Sequence, residues 1–289
     1  MKAGIAVLVL LAGAALGARA EGSHHFFWEV QGQHNRVFLL GSVHMLKAAD
    51  SALPAEVLHA YARSQTLVME LDLNDLNGDA LLGAGLESAT LPEDQSLSEV
   101  LGPELYASFL AHARPLGLEP EMMARFRPWF AALLLEQAAL TSSGFAASAG
   151  VDEQFAQRAQ ADHKPIIALE TMDEQLGFFA QLSAEQQRQF LRSTIQELDT
   201  EGSEAAIMVR AWQRGDTAEL ERLLHKESGE SPELFRMLTT DRNRNWLPKI
   251  RALLDDDQDY LVIVGAMHLV GSDGLVELLK RQGLSPVQH

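Results

Sequence analysis

The 289-residue chain contains no cysteine. That excludes disulfides, thiolate-held zinc or iron–sulfur groups, a cysteine nucleophile and acylation at a lipoprotein cysteine. It also lacks a His-Glu-x-x-His, a Gly-x-Ser-x-Gly, a phosphate-cradling glycine loop and a dinucleotide fingerprint. Zincin, serine-hydrolase, kinase and Rossmann-dehydrogenase readings therefore lose support. Beyond the first twenty residues no stretch reaches the roughly 20 apolar residues of a membrane-spanning helix. Positive charge is scarce as well. With 23 Lys and Arg against 40 Asp and Glu the net charge is −17, which disfavours nucleic acid and anionic membranes as partners.

The first twenty residues read as a leader. Lys2 supplies a short basic region, Ile5–Leu16 an apolar one, and Ala18-Arg19-Ala20 a small-x-small cleavage signal before Glu21. The expected product is a secreted, periplasmic chain from Glu21 to His289, cleaved after Ala20. Losing Lys2 and Arg19 leaves 21 basic against 40 acidic residues, a net −19. Without disulfides such a chain depends on its core, and 47% hydrophobic residues over this length suffice to build one.

From Glu21 onward apolar strands alternate with helices, the pattern of an α/β fold with a covered sheet. "HHFFWEVQGQHNRVFLLGSVH" reads as a hairpin turning at Gly32–Asn35, and "TLVMELDL" (Thr66–Leu73) as a third strand after a helix that Pro54 starts. From Pro92 to about Gly144 the pattern is helical, with a capping box at Ser96/Glu99. "KPIIALET" (Lys164–Thr171) reads as a buried strand running into a second box, Thr171/Glu174. Residues 183–255 are mostly amphipathic helix, with a third box at Ser183/Gln186 and breaks near Gly202, Gly215 and Ser228–Pro232. A strand (Tyr260–Val264), a helix (Leu269–Gln282) and a short strand at Ser285–Gln288 finish the chain, and "DDDQD" (Asp255–Asp259) reads as a solvated loop. The helices read as layers and a cap on one sheet, in a single domain over 21–289 with helical insertions at about 92–160 and 172–255.

Four of these strands end on residues able to bind a cation or move a proton: His44, Glu70 with Asp72, Glu170 and His268. In α/β sheets ligands bind beyond the carboxyl ends of strands. Alternation along a strand sends Glu70 and Asp72 to one side. Gly41 and Gly265 each precede a histidine by three residues, and a glycine there allows a sharp turn or a close approach to a ligand. Mixed imidazole and carboxylate sets suit Zn, Mn, Fe or Co. Each residue also has a plain structural reading: a hydrogen-bonded loop histidine, a Glu170 favoured by the helix it precedes, an Asp72 in a turn. Two basic spots stand out, "RFRPWF" (Arg125–Phe130) and "DRNRNW" (Asp241–Trp246). An arginine near carboxylates orients them or stabilises an oxyanion, whereas a structural ion pair is the simpler reading of Arg127.

"LLGSVHML", "VMELD", "RPWF", "GVDEQF", "IIALET" with Gln175, "DRNRNW" and "VGAMHLVGSDGLVELLKRQG", in that order, resemble the TraB/GumN family over essentially the whole chain after the leader. The resemblance implies a mixed central sheet flanked by helices with a large helical middle or cap region, related to the erythromycin-esterase and ChaN-like group. It further implies a divalent-metal hydrolase, proteolytic in the TIKI branch. Carried over by position, the paired motifs map to Gly41/His44 and Gly265/His268, the strand-end glutamate to Glu70, and the late motif to Arg242 with Asn243 or Asn245. Glu170 lies in the matching Glu-Thr block. Pro248 departs from a clean helix after this motif, and no carboxyl-terminal anchor is expected, so a TIKI-like tethered role does not carry over. The expectation is a secreted peptidase in which His44, His268 and Glu70 hold Mn²⁺, Co²⁺ or Zn²⁺. Glu170 or Glu70 would serve as base, Arg242 would stabilise the oxyanion, and Asn243 would belong to the same machinery. Two other readings remain: a protein that sequesters a peptide or signal without turnover, and hydrolysis of a non-peptide ester.

Overall fold

A computed structural model describes residues 25–73, 87–199, 203–230 and 232–289. The leader expected at 1–20 and the break near Gly202 lie outside them. Six strands form one mixed sheet in the order β4-β3-β5-β2-β1-β6: β1 (Phe27–Gln31), β2 (Arg36–Ser42), β3 (Thr66–Met69), β4 (Ile166–Ala168), β5 (Tyr260–Gly265) and β6 (Val287–Gln288). The expected hairpin is there, with Phe27 opposite Leu40 and Gln31 opposite Arg36. At its turn Gly32 N–H donates to the Asn35 carbonyl at 2.9 Å, and the Asn35 amide donates to the Leu253 carbonyl at 2.7 Å. Strands β2, β5, β3 and β4 run parallel. Their carboxyl ends therefore lie along one edge of the sheet, with β5 inserted between β2 and β3.

The central strands are apolar without alternation because both their faces are covered; Val37, Leu39, Leu67 and Leu261 to Val264 are all buried. β4 departs from the expectation of a buried strand. It lies at the sheet edge, and Ile167 is 47% exposed. "DDDQD" departs too, because its last residue is an anchor. Asp259 is buried, accepts the Arg36 N–H at 2.7 Å and pairs with Arg63.

Among the described residues the α-helices longer than four residues are α1 (Ala55–Arg63), α2 (Leu97–Ala113), α3 (Pro128–Ser142), α4 (Val151–Asp162), α5 (Met172–Ala180), α6 (Ala184–Asp199), α7 (Ser203–Gln213), α8 (Thr217–Glu230), α9 (Arg242–Leu253) and α10 (Leu275–Arg281). All three capping boxes form. In α2, Leu97, Leu101, Leu105 and Phe109 recur every four residues and make one buried ridge. That ridge packs with Ala131, Ala132 and Leu135 of α3 and Leu191 and Ile195 of α6, forming an apolar core distinct from that of the sheet. Gly102, at φ 74°, and Pro103 break α2 near its start. Of the segment expected as helix Leu269–Gln282 only Leu275–Arg281 is helical, as α10, and a 3-10 turn at Ala266–His268 precedes it. Arg125 and Arg127 donate to loop carbonyls, including Leu91 at 2.9 Å and Thr90 at 3.1 Å. Their role is structural, through carbonyls rather than the ion pair expected for Arg127. Among the described residues no helix is long and apolar enough to cross a membrane.

Candidate functional site

The residues expected at the strand ends meet at one edge of the sheet. β3 stops at Met69, one residue before Glu70, so Glu70 leaves the pleat and the alternation argument does not extend to Asp72. Glu70 turns its side chain toward β5, while its carbonyl still accepts the Glu170 N–H at 3.0 Å. Its Oε1 accepts the Gly265 N–H at 2.7 Å and lies 3.8 Å from His268 Nε2. Its Oε2 accepts from Arg242 Nη2 at 2.5 Å. Arg242 also donates from Nη2 to Glu170 Oε1 at 2.6 Å and from Nε to Glu170 Oε2 at 3.2 Å. The side chains of Arg242, Glu70 and Glu170 are all at most 8% exposed. One guanidinium fork thus bridges two buried carboxylates, which a lysine ammonium could not do with the same geometry.

Arg242 reaches this place because of the helix before it. Residues Arg236–Asp241 form a π-helical turn that runs directly into α9. The wider turn alters the facing of the first turn of α9, as such bulges do near functional sites. Pro248 lies inside α9 without ending it, and the aim of Arg242 is unaffected. Arg242 Nη1 donates to the Leu238 carbonyl at 3.1 Å, and the guanidinium carbon lies 4.6 Å from the centre of the Trp246 ring, one helical turn on.

Each histidine is held by an acceptor on Nδ1. The Asn243 amide nitrogen donates to the carbonyls of Asp273 at 2.8 Å and His268 at 3.2 Å, so its oxygen must face His268 Nδ1, 2.7 Å away. Nδ1 therefore carries the proton and Nε2 the lone pair. That lone pair accepts from Arg242 Nη1 at 3.2 Å. Burial, with the charges of Arg242 and His44, keeps the His268 pKa well below its ordinary value despite the opposing pull of Glu70. His44 Nδ1 pairs with Asp152 Oδ2 at 2.8 Å. Its side chain is 66% exposed, and the Asp152 charge raises its pKa.

Burial opposes ionisation of Glu70. The charges of Arg242 and His44 and the Gly265 amide outweigh it and hold this carboxyl well below the usual range. Burial pushes Glu170 upward, against the Arg242 hydrogen bonds and charge. Both Glu170 oxygens are fully used, accepting from Arg242, from Trp246 Nε1 at 3.2 Å and from Gln175 Nε2 at 3.1 Å.

The two motif glycines serve different purposes. A Cβ at Gly41 would meet Phe26 Cδ1 at 2.3 Å and the Ala266 backbone at 3.0 Å, so Gly41 is required for packing. A Cβ at Gly265 would stand 3.4 Å from Glu70 Oε1, 3.5 Å from His268 Cδ2 and 3.8 Å from His44 Nε2. Gly265 therefore leaves open a small space walled by the three candidate ligands. Sequence reasoning missed Asp152. It lies in "GVDEQF", where Gly150 lets α4 begin against the His44 backbone. A Cβ there would stand 2.0 Å from the His44 carbonyl oxygen, and Val151 N–H donates to the Val43 carbonyl at 3.0 Å. The glycine two residues before a carboxylate was the available signal.

A mixed α/β sheet with a His, Glu and Arg cluster at the carboxyl ends of its parallel strands defines the class. A sequence model of the TraB/PrgY/gumN family matches residues 26–288, and the chain belongs to that family. It is similar to the uncharacterized protein YbaP of Escherichia coli strain K12, 26% identical over 261 residues, covering 89% of this chain and 94% of that one. YbaP of Shigella flexneri is likewise 26% identical over 242 residues, covering 84% and 87%. An uncharacterized Treponema pallidum protein is 20% identical over 283 residues, covering 93% and 84%. No solved structure matches the chain.

Proposed function

We propose that this cleft hydrolyses peptide bonds with the help of a divalent cation. One observation carries the reading: both imidazoles are pinned through Nδ1, and with Glu70 they surround the space over Gly265. Ligating histidines are characteristically held through the other nitrogen by a carboxylate or an amide oxygen. Two imidazole nitrogens, that of His44 once it has lost its proton, and a carboxylate oxygen suit Mn²⁺, Co²⁺ or Zn²⁺ in kind. As the side chains are placed, no group of three His, Asp or Glu among the described residues is close enough to hold a cation. Arg242 sits on His268 Nε2 and on Glu70 Oε2, and its Nη1 has to release His268 before that nitrogen can ligate. His44, Glu70 and His268 would hold the cation, which would lower the pKa of a water and polarise a carbonyl.

The remaining roles rest on the contacts. Arg242, once released from His268, is the group positioned to stabilise an oxyanion. Glu170 has no free oxygen for a proton, so we assign it the orientation of Arg242 rather than the role of base. Asn243, completely buried, is a positioning residue that fixes the His268 tautomer. A separate cleft of about 550 Å³ between α5 and the segment leading into α9 is lined by Phe178, Gln181, Met237 and Asn245 and by none of the candidate ligands.

The test is metal content per chain after separate loading with Mn²⁺, Co²⁺ and Zn²⁺, beside a peptide and ester screen read by mass spectrometry. No cation retained, or turnover unchanged in His268→Ala, rejects the reading. Saturable peptide binding without product, surviving His44→Ala with Glu70→Ala, would instead indicate sequestration. Export with cleavage after Ala20 is a separate proposal resting on Lys2, the apolar stretch and Ala18–Ala20. A chain recovered from the periplasm that still begins at Met1 would refute it.

A further inference from the structure

Three buried side-chain polar atoms among the described residues have no hydrogen-bond partner: Asn35 Oδ1, Trp129 Nε1 and Ser42 Oγ. The first two have settings that end at packing. Asn35 already ties the hairpin to two carbonyls through its amide nitrogen. Trp129 belongs to an apolar cluster with Ala89 and Leu182 and stacks on Phe179 at 5.1 Å. Ser42 is different. It is 3% exposed and is the last residue of β2, two before His44. A native chain that keeps a buried hydroxyl unpartnered does so for a reason, commonly a ligand or water that the hydroxyl serves.

The register says what Ser42 faces. It pairs with Gly265 across β2 and β5. Residues paired in register on parallel strands carry Cβ on the same face of the sheet. The Gly265 face is the one walled by Glu70 Oε1, His268 and His44 Nε2. His44 lies beyond the end of β2, and the 3.8 Å between its Nε2 and the Gly265 Cβ position places it on the same side. We propose that Ser42 is a further ligand-binding residue of this cleft, its hydroxyl donating to an oxygen atom held over Gly265. On the hydrolytic reading, on which the identity of that atom rests, it is the oxygen of the attacking water or of the scissile carbonyl. Ser42 is not the nucleophile. Its Oγ has no hydrogen bond to His44 or to any other base, so no group is placed to take its proton.

The role gives an opposite sign to stability and to ligand response, which a structural hydroxyl would not. The experiment measures thermal midpoints of the full chain after chelator treatment, for wild type, Ser42→Ala and the nearly isosteric Ser42→Cys. Removing an unpartnered buried hydroxyl should raise the midpoint, by about 2–4 °C. Added Mn²⁺ should then raise the wild-type midpoint more than that of either variant. Peptide turnover, where the wild type shows it, should fall about 10–100-fold in kcat/KM, the range for losing a group that supports a metal site. A midpoint that falls in both variants overturns the proposal, because Ser42 Oγ then has a structural partner. Variants that gain stability yet keep the full Mn²⁺ response and turnover overturn it as well. A wild type with neither Mn²⁺ response nor turnover fails the hydrolytic reading, and the sign of the midpoint shift then decides Ser42 alone.

Discussion

Replacing Arg242 with methionine keeps an unbranched stem against Trp246 and removes the charge that Glu70 and Glu170 share. All three side chains are at most 8% exposed, so solvent screens little of the loss. Deleting one partner of such a buried pair costs about 3–5 kcal/mol, and facing carboxylates place Arg242→Met in the upper half of that range. Set against the roughly 5–15 kcal/mol that holds a folded chain, this is a large fraction. Glu170→Gln should cost less, about 1–3 kcal/mol, because its new amide N–H₂ must face one of the donors now satisfied by an oxygen. With both changes Glu70 still lacks its cation, but the second carboxylate no longer repels it. The double variant should therefore fall short of the sum of the singles by about 1–2 kcal/mol. Urea unfolding at neutral pH in cation-free buffer, followed by circular dichroism, measures all three. An Arg242→Met cost below about 1 kcal/mol, or additivity within about 0.5 kcal/mol, would refute the shared buried fork.

The motif glycines should separate in experiment. Gly41→Ala, whose Cβ would stand 2.3 Å from Phe26, should destabilise by about 1–3 kcal/mol as overpacking does. Gly265→Ala, at φ −50° and ψ 137° with no contact under 3.4 Å, should stay within about 1 kcal/mol of wild type while losing cation binding by calorimetry. Asp152→Asn should leave folding intact and weaken cation affinity about 10–100-fold through the orientation of His44; unchanged affinity would detach Asp152 from the site. The hydrogen bond to the Ser108 carbonyl, aided by Asp199 and against burial, raises the His112 pKa. The link from α2 to α6 through Asp199 therefore contributes fully below the ordinary imidazole value of about 6.5. It fades as pH rises through the raised one. Asp199 is 66% exposed, so the effect is at most about 1 kcal/mol; His112→Gln should lose more stability near pH 5.5 than near pH 9, and a reversed trend would refute the assignment.

Much of the site was legible because strand ends announce themselves. An apolar run that stops on a histidine or glutamate marks both the strand and its carboxyl edge, and His44, Glu70, Glu170 and His268 were found that way. Capping boxes at Ser96, Thr171 and Ser183 are local hydrogen-bond patterns and were equally readable. Asp152 was not, because its partner lies 108 residues away and the cue was a glycine whose purpose appears only when His44 is packed against it. Asp259 looked solvated among four other polar residues until its carboxylate met the Arg36 amide and Arg63.

The sequence by itself determined the elements: their order, their caps, the absence of thiol chemistry and the family to which the chain belongs. These come from periodicity and local bonding, which are written within a few residues. Only the tertiary structure decided that Glu70 and Glu170 share one arginine. It also decided that Asn243 sets the proton on His268, and that Gly41 is needed for packing whereas Gly265 leaves open the space between the candidate ligands. Those facts depend on distances between strands far apart in the chain, and on which lone pair of His268 is left once the donors around it have found their acceptors.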